Sequence, residues 1–148
     1  MTALAVMKIS AFIFGLVLAF GDCAAAQAAP GPFAKDQVDS GRKEFADSCA
    51  SCHGDNLAGG TAPALAGKRF LDQWANQTSA DLYGFIKKTM PECQGGILSN
   101  DAYAGLVAFL LWANGAEPGK DSFDGSAAVN IGSIVSGTVR PEVAGAKP

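Results

Sequence analysis

The five residues Cys49-Ala50-Ser51-Cys52-His53 restrict what this chain can become more than any other stretch. A C-x-x-C-H run reads as a site of covalent haem attachment. Each cysteine sulfur can add to one vinyl group of the porphyrin, and the two residues between them span the two substituents. His53 is then delivered beneath the ring as an iron ligand, and it is the only histidine in the chain. Two other chemistries share the pattern. A zinc site needs four ligands, and beyond these three residues the sequence offers only Cys23 and Cys93. A thioredoxin-like redox pair belongs beside alternating strands and helices, which the hydrophobic pattern here does not show. The reading adopted is one covalent haem c, attached through Cys49 and Cys52 and ligated by His53. A small chain built this way folds around a flat apolar group that adds to its core.

The N-terminus agrees with that chemistry. Residues 1–28 read as a secretory signal peptide: Lys8 supplies the positive charge, Ile9 to Gly21 are apolar, and Ala24 to Ala29 offer cleavage after Ala26 or Ala28. Translation from Met7 would serve equally. The apolar stretch falls short of the ~20 residues that span a bilayer, and Asp22 before Cys23 argues against a lipidated cysteine. The expectation is a periplasmic protein with no membrane span after cleavage. A formal net charge of −3 gives no basic surface for nucleic acid. Cleavage leaves Cys49, Cys52 and Cys93, so Cys93 is a lone thiol in an oxidising compartment, either buried or open to an intermolecular disulfide.

Residues 29–35 form a Pro- and Gly-containing lead-in, and residues 36–115 carry the periodicity of one domain. A helix is predicted to start near Asp36 to Ser40, with Val38, Gly41 and Phe45 on one face, and to deliver Cys49. Gly54 to Gly67 is glycine-rich and should be irregular. A second helix begins at Thr78, where T-x-x-D resembles a capping box, and buries Leu82, Phe85 and Ile86. Pro91 ends it before Met90. A third runs from Asn100 to Asn114 behind Ser99, with Tyr103, Leu106, Val107, Leu110 and Leu111 on its broad apolar face and Gly115 as its stop. The domain is therefore all-α. Residues 116–148 are a Gly/Ser/Pro-rich tail with a small apolar patch at Val129, Ile131, Ile134 and Val135. It is either flexible or docked in extended form.

The haem's other face needs a ligand. Met90 is the only methionine outside the export segment, and it sits on the loop Thr89-Met90-Pro91 ahead of Gly95-Gly96. Proline and glycine suit a loop that turns a side chain inward, and a thioether favours ferrous iron, so Met90 is the expected sixth ligand.

Taken together, Cys49-Ala50-Ser51-Cys52-His53, Pro63-Ala64-Leu65, Thr89-Met90-Pro91, and Leu98-Ser99 leading into Tyr103 and Leu106 to Leu110 resemble the class I cytochromes c. The likeness covers residues 36–115. It implies a cytochrome c fold with three main helices and loops wrapped around one haem. It implies that the Pro63 carbonyl accepts a hydrogen bond from His53, which fixes the imidazole tautomer. It also implies that Gly41 and Phe45 cross the C-terminal helix near Leu106 and Phe109. The segment from Asp81 to Asn114-Gly115 is similar to small cytochromes that serve quinoprotein dehydrogenases. Glu92-Cys93-Gln94 departs from the family pattern after Met90-Pro91.

The expected function is one-electron transfer with iron closed on both faces by His53 and Met90, and no catalytic residues. Partners would be redox proteins, with a periplasmic dehydrogenase as donor and a terminal oxidase or another cytochrome as acceptor. Lys87 and Lys88 either steer an acidic partner or form a solvated helix end. The alternatives are a haem subunit of a quinoprotein dehydrogenase or oxidase, or a haem enzyme or gas sensor with an open sixth position. The last would need a polar group such as Arg42, Arg69 or Arg140 over the iron.

Overall fold

A computed structural model describes residues 29–145. The signal-peptide reading of residues 1–28 therefore lies outside the described residues. Helices α1 (Lys35–Ser48), α2 (Ala50–His53), α3 (Lys68–Trp74), α4 (Ser79–Thr89), α5 (Asn100–Ala113) and α6 (Pro141–Ala144) follow in chain order, with a 3-10 turn at Ile131–Ser133 before α6. The described residues hold no strand, and one isolated antiparallel bridge joins Thr78 to Asn130.

The centre is the crossing of α1 and α5. A side chain on Gly41 would place its Cβ 1.8 Å from the Gly105 carbonyl oxygen, so the two backbones touch where glycine faces glycine. Any larger residue at Gly41 must push the helices apart. One turn on, the rings of Phe45 and Phe109 pack with centroids 5.5 Å apart. Helix α5 is buried without a break from Tyr103 to Ala113. An apolar stripe on one face predicts a helix with a solvent side, but other segments cover the remaining faces of α5 and make it a core helix.

Local signals set the helix ends. Ser99 caps α5 by accepting the Ala102 amide at 3.1 Å, and Gly115 follows its end at a φ of +96°. Thr78 and Asp81 cap α4 reciprocally. The Thr78 hydroxyl accepts the Asp81 amide at 3.1 Å, while the Asp81 carboxylate accepts the Thr78 amide at 2.9 Å and its hydroxyl at 2.7 Å. Those bonds hold the Asp81 carboxyl below the usual carboxylate range. Helix α1 starts at Lys35 rather than in the predicted Asp36 to Ser40 window. Its N-cap is Ala34, which has no capping group, and the Gln37 side chain accepts the Ala34 amide instead, at 3.3 Å. Helix α3 has no counterpart among the helices that the sequence predicts. It buries only Phe70 and Trp74, one turn apart, from a run otherwise made of exposed polar residues and half-buried Leu71.

Residues 116–145 lie against the helices. Gln37 binds the Phe123 backbone from both sides, its amide donating to the Phe123 carbonyl and its oxygen accepting the Phe123 amide, each at 2.7 Å. The Ser79 hydroxyl donates to the Ala127 carbonyl and accepts the Val129 amide at 3.1 Å. Ile131, Ile134 and Val135 are buried, with Val129 half-buried beside them. Near the end, Arg140 donates to the carbonyls of Trp112 (2.8 Å) and Ala116 (2.9 Å), pairs with Glu117 at 2.7 Å, and stacks on the Trp112 ring.

Candidate haem site

An apolar cleft of about 300 Å³ opens between α1, α2, α3, α4 and α5. Its walls include Phe45, Phe70, Trp74, Leu82, Ile86, Leu106 and Leu110. Cys49, Cys52, His53, Pro63 and Met90 all line the same cleft, so the five residues that the sequence picks out as a haem site meet at one place.

On one side, α2 continues α1 after a break at Cys49 and presents Cys49, Cys52 and His53 over a single turn. Burial, reinforced by Glu44 and Cys52, pushes the Cys49 thiol up to about 11. The His53 ring is buried, and its Nδ1 lies 2.8 Å from the Pro63 carbonyl. A carbonyl can only accept, so Nδ1 carries the proton and Nε2 keeps its lone pair for a metal.

The loop after His53 is laced to the helix it leaves. The Gly59 amide donates to the His53 carbonyl at 2.9 Å, the Ala62 amide to Cys52 at 3.0 Å, and the Leu65 amide to Leu57 at 2.9 Å. Asn114, fully buried at the end of α5, accepts the Gly67 amide at 2.8 Å and donates to the carbonyls of Leu65 (3.0 Å) and Leu110 (2.9 Å). The sequence marks Asn114 only as the end of a helix.

On the other side, Met90 is the residue at which α4 stops. Its extended backbone (φ −124°, ψ 148°) turns the chain out of the helix, while its amide still donates to the Ile86 carbonyl at 2.8 Å. The residues from Glu92 to Ile97 are exposed, and Ile97 keeps 63% of its surface open. Cys93 is among them, at a φ of +64°, which sets aside the reading of a buried thiol. Tyr103 reaches up from α5 to this loop. Its hydroxyl donates to the Met90 carbonyl at 2.9 Å and accepts the amides of Gly96 (2.9 Å) and Leu98 (3.4 Å). Periodicity presents Tyr103 as one more apolar position, and nothing in its spacing announces the hydroxyl's task.

The charged candidates fall outside the cleft. Lys87 donates to the Asn100 side chain at 2.7 Å and lies over the Tyr83 ring, which leaves Lys88 as the exposed member of that pair. Arg42 and Arg140 each stack on Trp112 with the guanidinium carbon 4.9 Å from the ring centre, and Arg69 is exposed on α3.

These residues fit a haem. The cleft is apolar, two sulfurs and a tautomer-fixed imidazole stand on one wall, and a thioether stands on another.

Comparison with known proteins bears on the same segment. Residues 36–110 match the family described as cytochrome c oxidase, cbb3-type, subunit III. No match is found among curated proteins. Among solved structures, the crystal structure of the sulfane dehydrogenase SoxCD from Paracoccus pantotrophus is similar at 26% identity and a TM-score of 0.47, over 93% of this chain and 72% of that one.

Proposed function

The chain belongs to the family of cytochrome c oxidase, cbb3-type, subunit III, and on that premise we propose that it is a one-electron carrier with iron held between His53 and Met90. The all-α cytochrome c fold and one covalently bound haem c go with that membership. The observation that carries the finer reading is the meeting of Cys49, Cys52, His53 and Met90 on one apolar cleft, with the His53 tautomer set by Pro63.

When bound, the haem supplies a one-electron iron couple, which Met/His ligation poises toward the ferrous state. The chain's residues do the rest. Cys49 and Cys52 hold the group covalently. Pro63 keeps Nδ1 of His53 protonated and Nε2 available, and strengthens the imidazole as a donor. Phe45, Phe70, Trp74, Leu82, Leu106 and Leu110 exclude water and lower the local dielectric. Ligands anchored in a packed frame change position little between oxidation states, which keeps reorganisation small.

A closed iron suits a carrier and not a site that binds substrate. Arg42 and Arg140, two of the polar groups that a peroxide or gas site could use, are occupied by Trp112 and by carbonyl groups at the far end of α5. The partners are redox proteins: a dehydrogenase as donor and a terminal oxidase or a second cytochrome as acceptor. The compartment is the periplasm, reached through the export segment at residues 1–28. No helix among the described residues is long and apolar enough to cross a membrane.

The test is an optical spectrum of the haem-loaded protein, ferric and ferrous, with and without carbon monoxide. A weak far-red sulfur-to-iron band in the ferric state and no carbon monoxide shift in the ferrous state are expected. A missing band with ready carbon monoxide binding would give the lead to the enzyme or sensor reading.

A further inference from the structure

Met90 is the last link between α4 and an exposed loop, yet its backbone is held on both sides. Its amide is tied back to Ile86 in α4. Its carbonyl is tied to α5 through one side chain, Tyr103, which has no exposed surface. The same hydroxyl accepts the Gly96 and Leu98 amides, so one oxygen gathers the start and the end of the segment between Met90 and Leu98. A phenol has one proton to give and two lone pairs to share, and here all three are engaged. Inside the segment, the other backbone ties are local: Gln94 to Pro91 at 2.8 Å and Ile97 to Gln94 at 3.2 Å.

We propose that Tyr103 is the positioning residue for the sixth ligand: its hydroxyl latches the loop so that the Met90 thioether stays directed into the cleft. The inference rests on the proposed ligation by Met90. Tyr103 acts through the backbone, not by touching iron. Its ring is a separate matter, packed edge-on against Tyr83 at 6.5 Å, and a phenylalanine keeps that packing. Removing the hydroxyl alone leaves the Met90 carbonyl and the Gly96 and Leu98 amides without their shared partner, and the segment between them loses its side-chain tie to α5. Loop opening and loss of the Met90 ligand therefore become the same event.

The test compares haem-loaded wild type, Tyr103→Phe and Ser79→Ala. Ser79→Ala removes a comparable buried hydroxyl that ties residues 127–129 to α4, remote from the Met90 loop. Two quantities are read: the pH at which the ferric far-red band disappears, and the apparent affinity of the ferrous protein for carbon monoxide. Loss of a buried hydrogen bond should raise the open population about tenfold. Tyr103→Phe should therefore bind carbon monoxide about tenfold more tightly in apparent terms and lose its band at lower pH. Ser79→Ala should lower the denaturation midpoint with both readouts unmoved. A Tyr103→Phe protein within about twofold of wild type in both readouts, or a Ser79→Ala protein that opens equally, overturns the latch. A wild type without the band overturns the ligation by Met90 itself, a separate failure. If Tyr103→Phe does not fold, amide exchange in the wild type decides. Slow exchange at Gly96 that speeds up as the band disappears supports the latch, and exchange at the rate of an unprotected amide overturns it.

Discussion

The two walls of the cleft are built to different standards. The His53 wall is held many times over: a helix turn, a bond from the imidazole to Pro63, three backbone ties across the loop that follows, and the buried amide of Asn114. The Met90 wall hangs from the end of α4 and from the hydroxyl of Tyr103, with an exposed loop beyond it. Redundant ties fail only together, whereas a wall with two ties has little in reserve. The His53 wall should therefore behave as part of the fold, and the Met90 wall as the place where the site opens first.

The sharpest contrast comes from removing each proposed ligand. His53→Ala takes away the only imidazole and should abolish the low-spin spectrum altogether, with little haem-bearing protein recovered. Met90→Ala should instead give a folded protein with covalent haem and an open face. It should bind carbon monoxide, and its potential should fall by on the order of 0.1 V. Optical spectra and a redox titration check both. Equal damage from the two changes would contradict the inequality of the walls.

Asn114→Ala is a smaller probe, aimed at the well-held side. It strands the Gly67 amide and the Leu65 carbonyl, while the Leu110 carbonyl keeps the Asn114 backbone amide, and should cost about 2 kcal/mol in global stability by denaturant titration. The other ties to the His53 loop remain, so the far-red band and the exclusion of carbon monoxide should survive. Opening of the iron in Asn114→Ala would show that the His53 wall is no more redundant than its opposite.

The haem site is legible in the sequence because its chemistry is carried by scarce residue types at short spacing. One histidine, one methionine after residue 28 and one C-x-x-C leave little freedom. Helices α4 and α5 announce themselves through Thr78 and Ser99 at their starts and through their apolar stripes, although Phe85 of the α4 stripe is 44% exposed rather than buried. The rest is held by long-range contacts that spacing does not encode. Helix α3 shows only a seven-residue run with Phe70, Leu71 and Trp74 to a periodicity reading. Residues 116–145 are fastened by Gln37 to Phe123 and by Ser79 to Ala127 and Val129, polar bonds from residues that look like ordinary helix surface. The later part of that run also covers the Trp112 end of α5 through Arg140. Tyr103 stands out in the sequence for its ring, while its role lies in the hydroxyl.

The smallest expected effect lies away from both walls, at the cap of α4, the helix that ends in Met90. The Asp81 carboxyl is held below its ordinary value by Thr78, so its contribution to stability is present above the unfolded value of about 3.9. It is lost as pH falls through the lower folded value. The gap between the denaturation midpoints of wild type and Asp81→Asn should be largest near neutrality and close under strong acid. A gap that persists or widens in acid would contradict the capping role.

One titration tests the inequality of the walls most directly. Ferric wild-type protein is unfolded in guanidinium while the far-red sulfur-to-iron band and the far-ultraviolet helical signal are recorded together. The band should disappear at clearly lower denaturant than the helices, leaving a folded, His53-bound protein that has lost Met90. Coincident loss of the two signals would mean that the walls yield as one and that the Met90 side is no weaker than the His53 side.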